Sequence, residues 1–188
     1  MNIQELSING LYEIIPRRFG DERGYFCETF NAFTFKDATG LSPVWIQDNE
    51  SLSSHGVVRG LHFQKGIFSQ AKLVRVTQGE VLDVVVDLRA DSPSLGHYAA
   101  IKLSADIGNL LYIPRGFAHG FAVLSDSALF QYKVDNIYAP QAECTLLYND
   151  SDLNIDWIIP EENRIISHKD TTGIPFKEII ANYTYREE

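Results

Sequence analysis

The chain has 188 residues, 45% hydrophobic and 22% charged, with a net charge of −9 and a pI near 5.0. A chain this long can bury about 70% of the surface its unfolded form exposes, enough for one ordinary domain. The acidic balance excludes general binding of nucleic acid or anionic membrane, although converging basic residues could still hold an anion.

MNIQELSING carries no basic start followed by an apolar run, so no secretory signal is expected. No window reaches the roughly 18 consecutive apolar residues of a membrane span. Cys27 and Cys144 form no C-x-x-C pair, which suits a reducing, cytoplasmic setting and two buried small apolar side chains.

Along the chain, residues 31–40 (NAFTFKDATG) predict a helix stopped by Gly40. Residues 71–78 (AKLVRVTQ) and 81–88 (VLDVVVDL) predict neighbouring strands about a turn at 79–80. Strands are also expected at 97–104, 109–114, 119–125, 128–135 and 144–150, punctuated by Gly, Pro, Asn and Asp. Such regular short strands point to an all-β sandwich or barrel. The last thirty or so residues read as looser chain on its outside.

Two segments carry chemistry. Gly108 to His119 has the form G-x5-P-x-G-x2-H, one of the two signatures of the cupin barrel. The other signature, G-x5-H-x-H followed by a glutamate, runs from Gly56 to His62 and then fails. Gln64 stands where the second histidine belongs, and 68–69 are Phe-Ser rather than a carboxylate. An amide is a poor metal ligand beside imidazole and carboxylate, so no metal is expected.

His62 then reads either as a core histidine bonded to backbone or as a base. Strand parity sets Arg59 and His62 on opposite faces, so a bend at Gly60 is needed to bring both to one cavity. Tyr132 shares parity with Phe130 and Val134 and suits an interior face, where it could equally be a core tyrosine. Lys72 and His119 lie on or beside predicted strands.

VVRGLHFQ, QAKLVRVTQGEVLDVVVDLR, IPRGFAHGFAVLSD and YNDSDLNIDW resemble the dTDP-4-dehydrorhamnose 3,5-epimerase family of sugar-nucleotide cupins. DERGYFCETF and WIQDNES match its N-terminal part, and the resemblance runs from about residue 15 to about 175. It implies a cupin-type double-stranded β-helix, or jelly roll, with a few short peripheral helices. It implies one epimerase domain over 1–188, an N-terminal segment of about 1–50 at a homodimer interface, and an exterior tail of about 160–188.

The activity it implies is inversion of a dTDP-4-keto-6-deoxy sugar at C3 and C5, without metal or organic cofactor. His62 would be the base, Asp170 its carboxylate partner, Tyr132 the opposing acid and Lys72 the group near the ketone oxygen. Arg23 and Arg59 would meet phosphate, and Lys169, beside Asp170, would add local positive charge to the substrate-binding set. Gln47, Asn49, Glu28 and Glu143 would meet nucleoside or sugar, Tyr138 would stack on thymine, and His119 would lie near the sugar. Arg23, Phe26 and Glu28 would be lent to the partner's site.

Inversion at only one carbon is the alternative within this family. Outside it stand a metal-dependent cupin using His62, Gln64 and His119, and a non-catalytic binding module. The latter would keep Arg59 and Tyr138 without the acid/base pair.

Overall fold

The computed structural model describes residues 1–186. Its first five strands are β1 Asn2–Glu5, β2 Tyr12–Ile15, β3 Arg18–Asp21, β4 Gly24–Cys27 and β5 Gln47–Ser54. Next come β6 Val57–Gln64, β7 Lys72–Gln78, β8 Glu80–Asp87, β9 Tyr98–Ser104 and β10 Leu110–Ile113. The last are β11 Phe117–Val123, β12 Ser127–Val134, β13 Glu143–Thr145 and β14 Ile165–Ile166. Three helices, α1 Ala32–Thr39, α2 His168–Thr171 and α3 Phe176–Asn182, lie outside the sheets.

One sheet has the order β1-β2-β10-β7-β12-β5, and a second has β13-β6-β11-β8-β9 with β14 beside β6. From β7 to β12, neighbours in sequence mostly fall in opposite sheets. This is the interleaving of a jelly roll, as the family resemblance implies.

Strand β8 shows why the molecule has three apolar layers. Its Val81 and Val85 meet Val74, Val76, Leu111 and Phe130 between the two sheets. Its Leu82, Val84 and Val86 face the other way, onto Leu146, Trp157, Ile159 and Ile179. A strand covered on both faces reads as a continuous apolar run. The third layer lies outside the first sheet, where Phe35 of α1 packs on Leu73, Leu110 and Tyr112. Asn31 caps α1 by accepting from the Phe33 and Thr34 N–H groups, and Gly40 closes it at φ 76°. Phe35 is fully buried, and its removal to alanine should cost about 3–5 kcal/mol.

Two expectations are corrected. Residues 144–150 are not one strand: β13 ends at Thr145, and after Leu146, which still exchanges backbone hydrogen bonds with Leu61, the chain turns away. The apolar alternation is satisfied by a turn instead. Leu146 and Tyr148 bury against Trp157, whose indole N–H donates to the Tyr148 carbonyl at 2.8 Å. The tail is also more ordered than its sequence suggests, since it supplies α2, α3 and β14.

Among the described residues the ribbon β3–β4 pairs only with itself. Phe19, Tyr25 and Phe26 on it are 51, 61 and 71% exposed.

Candidate functional site

The site begins with a register fault. Arg59 pairs with Phe121 and His62 with His119, so three steps along β6 match two along β11. The extra residue is a β-bulge. It places Val58 and Leu61 together on the outer core, while Arg59 and His62 line one inner cavity. Gly60 makes this possible. A Cβ there would stand 2.5 Å from the Gly120 Cα and 2.8 Å from the His119 carbonyl. The bend predicted at Gly60 is therefore present, and it resolves the parity conflict.

His62 Nε2 lies 2.5 Å from Asp170 Oδ1. Asp170 comes from α2, 108 residues away. Ser167 caps that helix by accepting from the Asp170 N–H and so fixes the aspartate's backbone. Burial pushes the Asp170 carboxyl up, but hydrogen bonds from His62 and Ser167 and the His62 charge outweigh it. The net shift is downward, so the group is a carboxylate at neutral pH.

The cavity has a volume of about 180 Å³ and is lined by Arg59, His62, Lys72, His119, Phe130 and Tyr132, among others. It lies between the sheets: β6 and β11 bring His62 and His119 from one wall, β7 and β12 bring Lys72 and Tyr132 from the other. The Phe130–Tyr132 parity places the phenol inward, as expected. A larger cleft of about 610 Å³ lies elsewhere and is lined by Arg89, Arg115 and Tyr112 without a histidine. Convergent titratable groups, rather than volume, mark the small cavity as the site.

Burial lowers Lys72 to about 8, against the opposing pull of Asp83 and Glu143. Asp83 is fully buried and holds His119 Nε2 at 2.9 Å through Oδ2. Its Oδ1 has no hydrogen-bond partner among the described residues. Burial also lowers His119, more than Asp83 raises it, with Lys72 and His62 adding to the fall. Burial and Glu143 raise the Tyr132 phenol, and Arg59 only partly offsets them. An imidazole, an ammonium and a neutral phenol thus share one pocket.

Outside this cavity, Glu143 receives the Tyr138 hydroxyl at 2.9 Å and the Lys169 ammonium at 2.6 Å. Burial raises Glu143, but these two partners and the His62 charge bring it below its usual value. Asn49 pairs with Tyr132 across β5 and β12 and accepts from the Gln47 amide at 2.8 Å. The Arg59 Nε donates to Ser53 Oγ at 3.0 Å.

The remaining three predicted residues do not join this chain's own cavity. Arg23 pairs with Asp21 beside it on the ribbon. Phe26 is largely exposed, and Glu28 accepts from the Asn31 amide.

The metal alternative finds no ligand set. Gln64 turns its amide to backbone groups rather than into the cavity. His62 and His119 each hold a different carboxylate. No group of three His, Cys, Asp or Glu able to hold a metal occurs among the described residues.

Asp83 escaped the sequence reading. Its signal was present: an aspartate inside VLDVVVDL, on the parity that faces the other sheet, is costly to bury without a partner.

A family model for dTDP-4-dehydrorhamnose 3,5-epimerase matches residues 5–178. A dTDP-4-dehydrorhamnose 3,5-epimerase of Shigella flexneri is 46% identical over 176 residues, covering 94% of this chain and 96% of that one. The crystal structure of the Elizabethkingia anophelis enzyme of that name is 49% identical with a TM-score of 0.92, covering 95% of this chain and 97% of that one. A Legionella pneumophila dTDP-6-deoxy-D-glucose-3,5-epimerase, solved with dTDP-4-keto-L-rhamnose, is 41% identical with a TM-score of 0.93. That match covers 100% of this chain and 98% of the other. Fold, cavity and these likenesses together show that the chain belongs to the dTDP-4-dehydrorhamnose 3,5-epimerase family.

Proposed function

We propose that the chain converts dTDP-4-dehydro-6-deoxy-D-glucose to dTDP-4-dehydro-L-rhamnose by inversion at C3 and C5. The carrying observation is a base and an acid on opposite sheets of one cavity: His62 with Asp170 behind it, and Tyr132 facing them.

A C–H bond beside a ketone is acidic because the electron pair left behind spreads onto oxygen as an enolate. The His62 nitrogen not held by Asp170 takes that proton, and Asp170 stabilises the imidazolium. The Lys72 ammonium meets the enolate oxygen, a contribution of about 3–4 kcal/mol for one such donor. Tyr132, kept neutral by burial and Glu143, protonates the carbon from the other face. Each proton transfer is worth roughly 10²–10⁴-fold. The ketone supplies the activation, so no metal or organic cofactor is required.

A 180 Å³ cavity suits a sugar ring and not a whole nucleotide sugar, for which pockets run to about 300–1,000 Å³. The diphosphate and base therefore lie at the mouth, with Arg59 and Lys169 on phosphate, Tyr138 against the base, and Gln47, Asn49, Glu143 and His119 on nucleoside or sugar. Arg23, Phe26 and Glu28 complete the mouth of a second copy, carried there by the β3–β4 ribbon. The exposed aromatics of that ribbon support a homodimer. No helix among the described residues is long and apolar enough to cross a membrane; we place the protein in the cytoplasm, with no nucleic-acid partner.

NMR in heavy water with the 4-keto sugar nucleotide tests the reading. Deuterium should enter at C3 and C5 with net inversion, and His62→Ala should abolish both while dTDP still binds. Uptake at one carbon would reduce the activity to single-site epimerisation; no uptake would overturn it.

A further inference from the structure

Gln64 occupies the position where the cupin signature expects a second histidine. It is only 7% exposed, and a buried amide must be satisfied. Its Nε2 donates to the Phe68 carbonyl at 2.7 Å and to the Ile137 carbonyl at 3.0 Å. Its Oε1 accepts from the Ala139 N–H at 2.6 Å. Both amide protons and the carbonyl are thus engaged.

Ile137 and Ala139 are the two neighbours of Tyr138. One side chain on β6 therefore fixes the backbone on either side of that residue. The same loop is stitched from other directions. Asn136 donates to the Ile67 and Ser69 carbonyls, and Gln70 donates to the Asn136 carbonyl at 2.8 Å. Tyr138 itself is 52% exposed and donates its hydroxyl to Glu143 at 2.9 Å. With its ring half exposed, its position rests on that hydrogen bond and on the backbone that carries it.

We propose that Gln64 is a positioning residue for nucleotide binding: its amide sets the Tyr138 ring against the nucleobase. The inference rests on Tyr138 meeting the base, as proposed above. Few side chains can replace this amide. Glutamate lacks the two donors and would set a carboxylate against two carbonyls. Methionine has the volume and no comparable hydrogen bonds. The amide that stands where the cupin signature has its second histidine is thereby tied to binding the nucleotide end.

The test compares Gln64→Met, Gln64→Glu, Tyr138→Ala and the double variant Gln64→Met/Tyr138→Ala. Calorimetry uses dTDP and, as a ligand without a base, inorganic pyrophosphate; exchange of the sugar hydrogens gives kcat and KM. Gln64→Met should weaken dTDP at least tenfold and raise KM similarly. Pyrophosphate affinity should change by less than twofold and kcat by less than threefold. In the Tyr138→Ala background, Gln64→Met should cost less than a further twofold. If Gln64→Met does not fold, Gln64→Glu carries the same expectations. Unchanged dTDP affinity, equal loss of pyrophosphate, a matching fall in kcat, or full additivity with Tyr138→Ala would overturn the assignment. If Tyr138→Ala itself leaves dTDP binding intact, the reading of Tyr138 falls and the assignment falls with it. If Tyr138→Ala weakens binding and the Gln64 variants do not, only the assignment falls.

Discussion

Replacing Asp170 with asparagine removes one charge and leaves the shape almost unchanged. The carboxylate is 4% exposed at its side chain and stands 2.5 Å from His62 Nε2. When His62 takes a proton from carbon, the new charge centres lie roughly 4 Å apart, and at an effective dielectric near 20 they attract by about 4 kcal/mol. The His62 side chain is 31% exposed, so solvent screening reduces this toward about 2 kcal/mol. At 1.36 kcal/mol per decade the chemical step should slow by roughly 30- to 1,000-fold. With His62 as the base, the charge that Asp170 balances in the chemical step is the one brought by the transferred proton. The loss should therefore fall on kcat for deuterium exchange, with dTDP affinity within about twofold. The assay is C3 and C5 exchange at saturating substrate beside calorimetric dTDP binding. Exchange within threefold of the parent would refute the role of Asp170. So would a loss confined to KM.

In the proposed mechanism the ammonium form of Lys72 meets the enolate, and burial lowers that group to about 8. The exchange rate should decline as pH rises above about 8, and in Lys72→Met this limb should vanish from a much lower plateau; a flat profile in the parent would remove Lys72 from the mechanism. Asp83 holds the Lys72 value up, so Asp83→Asn should move the alkaline limb to lower pH, and a shift the other way would refute the coupling. Gly60 has φ 119° and no room for a Cβ against Gly120. Gly60→Ala should therefore cost about 3 kcal/mol of overpacking and strain. That corresponds to a fall in Tm of about 6–12 °C at this size, measurable by calorimetry.

The barrel was legible because its cues are local. Alternation in β7, the apolar run of β8, and the glycines and proline between Gly108 and His119 each act over a few residues. The Arg59–His62 spacing also carried its own clue, since an odd separation with a glycine inside implies a bulge. Asp83 was legible in principle and was read only as part of a strand. Asp170 is different. Nothing in a short capped turn near the C-terminus says that it backs a histidine 108 residues earlier, and only resemblance supplied it. The segment after Thr145 misled because apolar alternation records burial, and a turn that folds Tyr148 under Trp157 buries the same side chains as a strand would. The strands before residue 57 are short or solvent-facing, and their periodicity is weak.

The carboxylate behind His62 does not belong to the barrel at all. It arrives on a turn that docks against β6 from outside. A molecule nicked or loosened between β14 and α3 could keep both sheets and every group on their facing walls, yet its imidazole would lose the carboxylate that holds it once charged. Turnover is then a readout of whether that far piece of polypeptide has found its seat, and a limited digest that spares the sheets should silence the enzyme before it melts it.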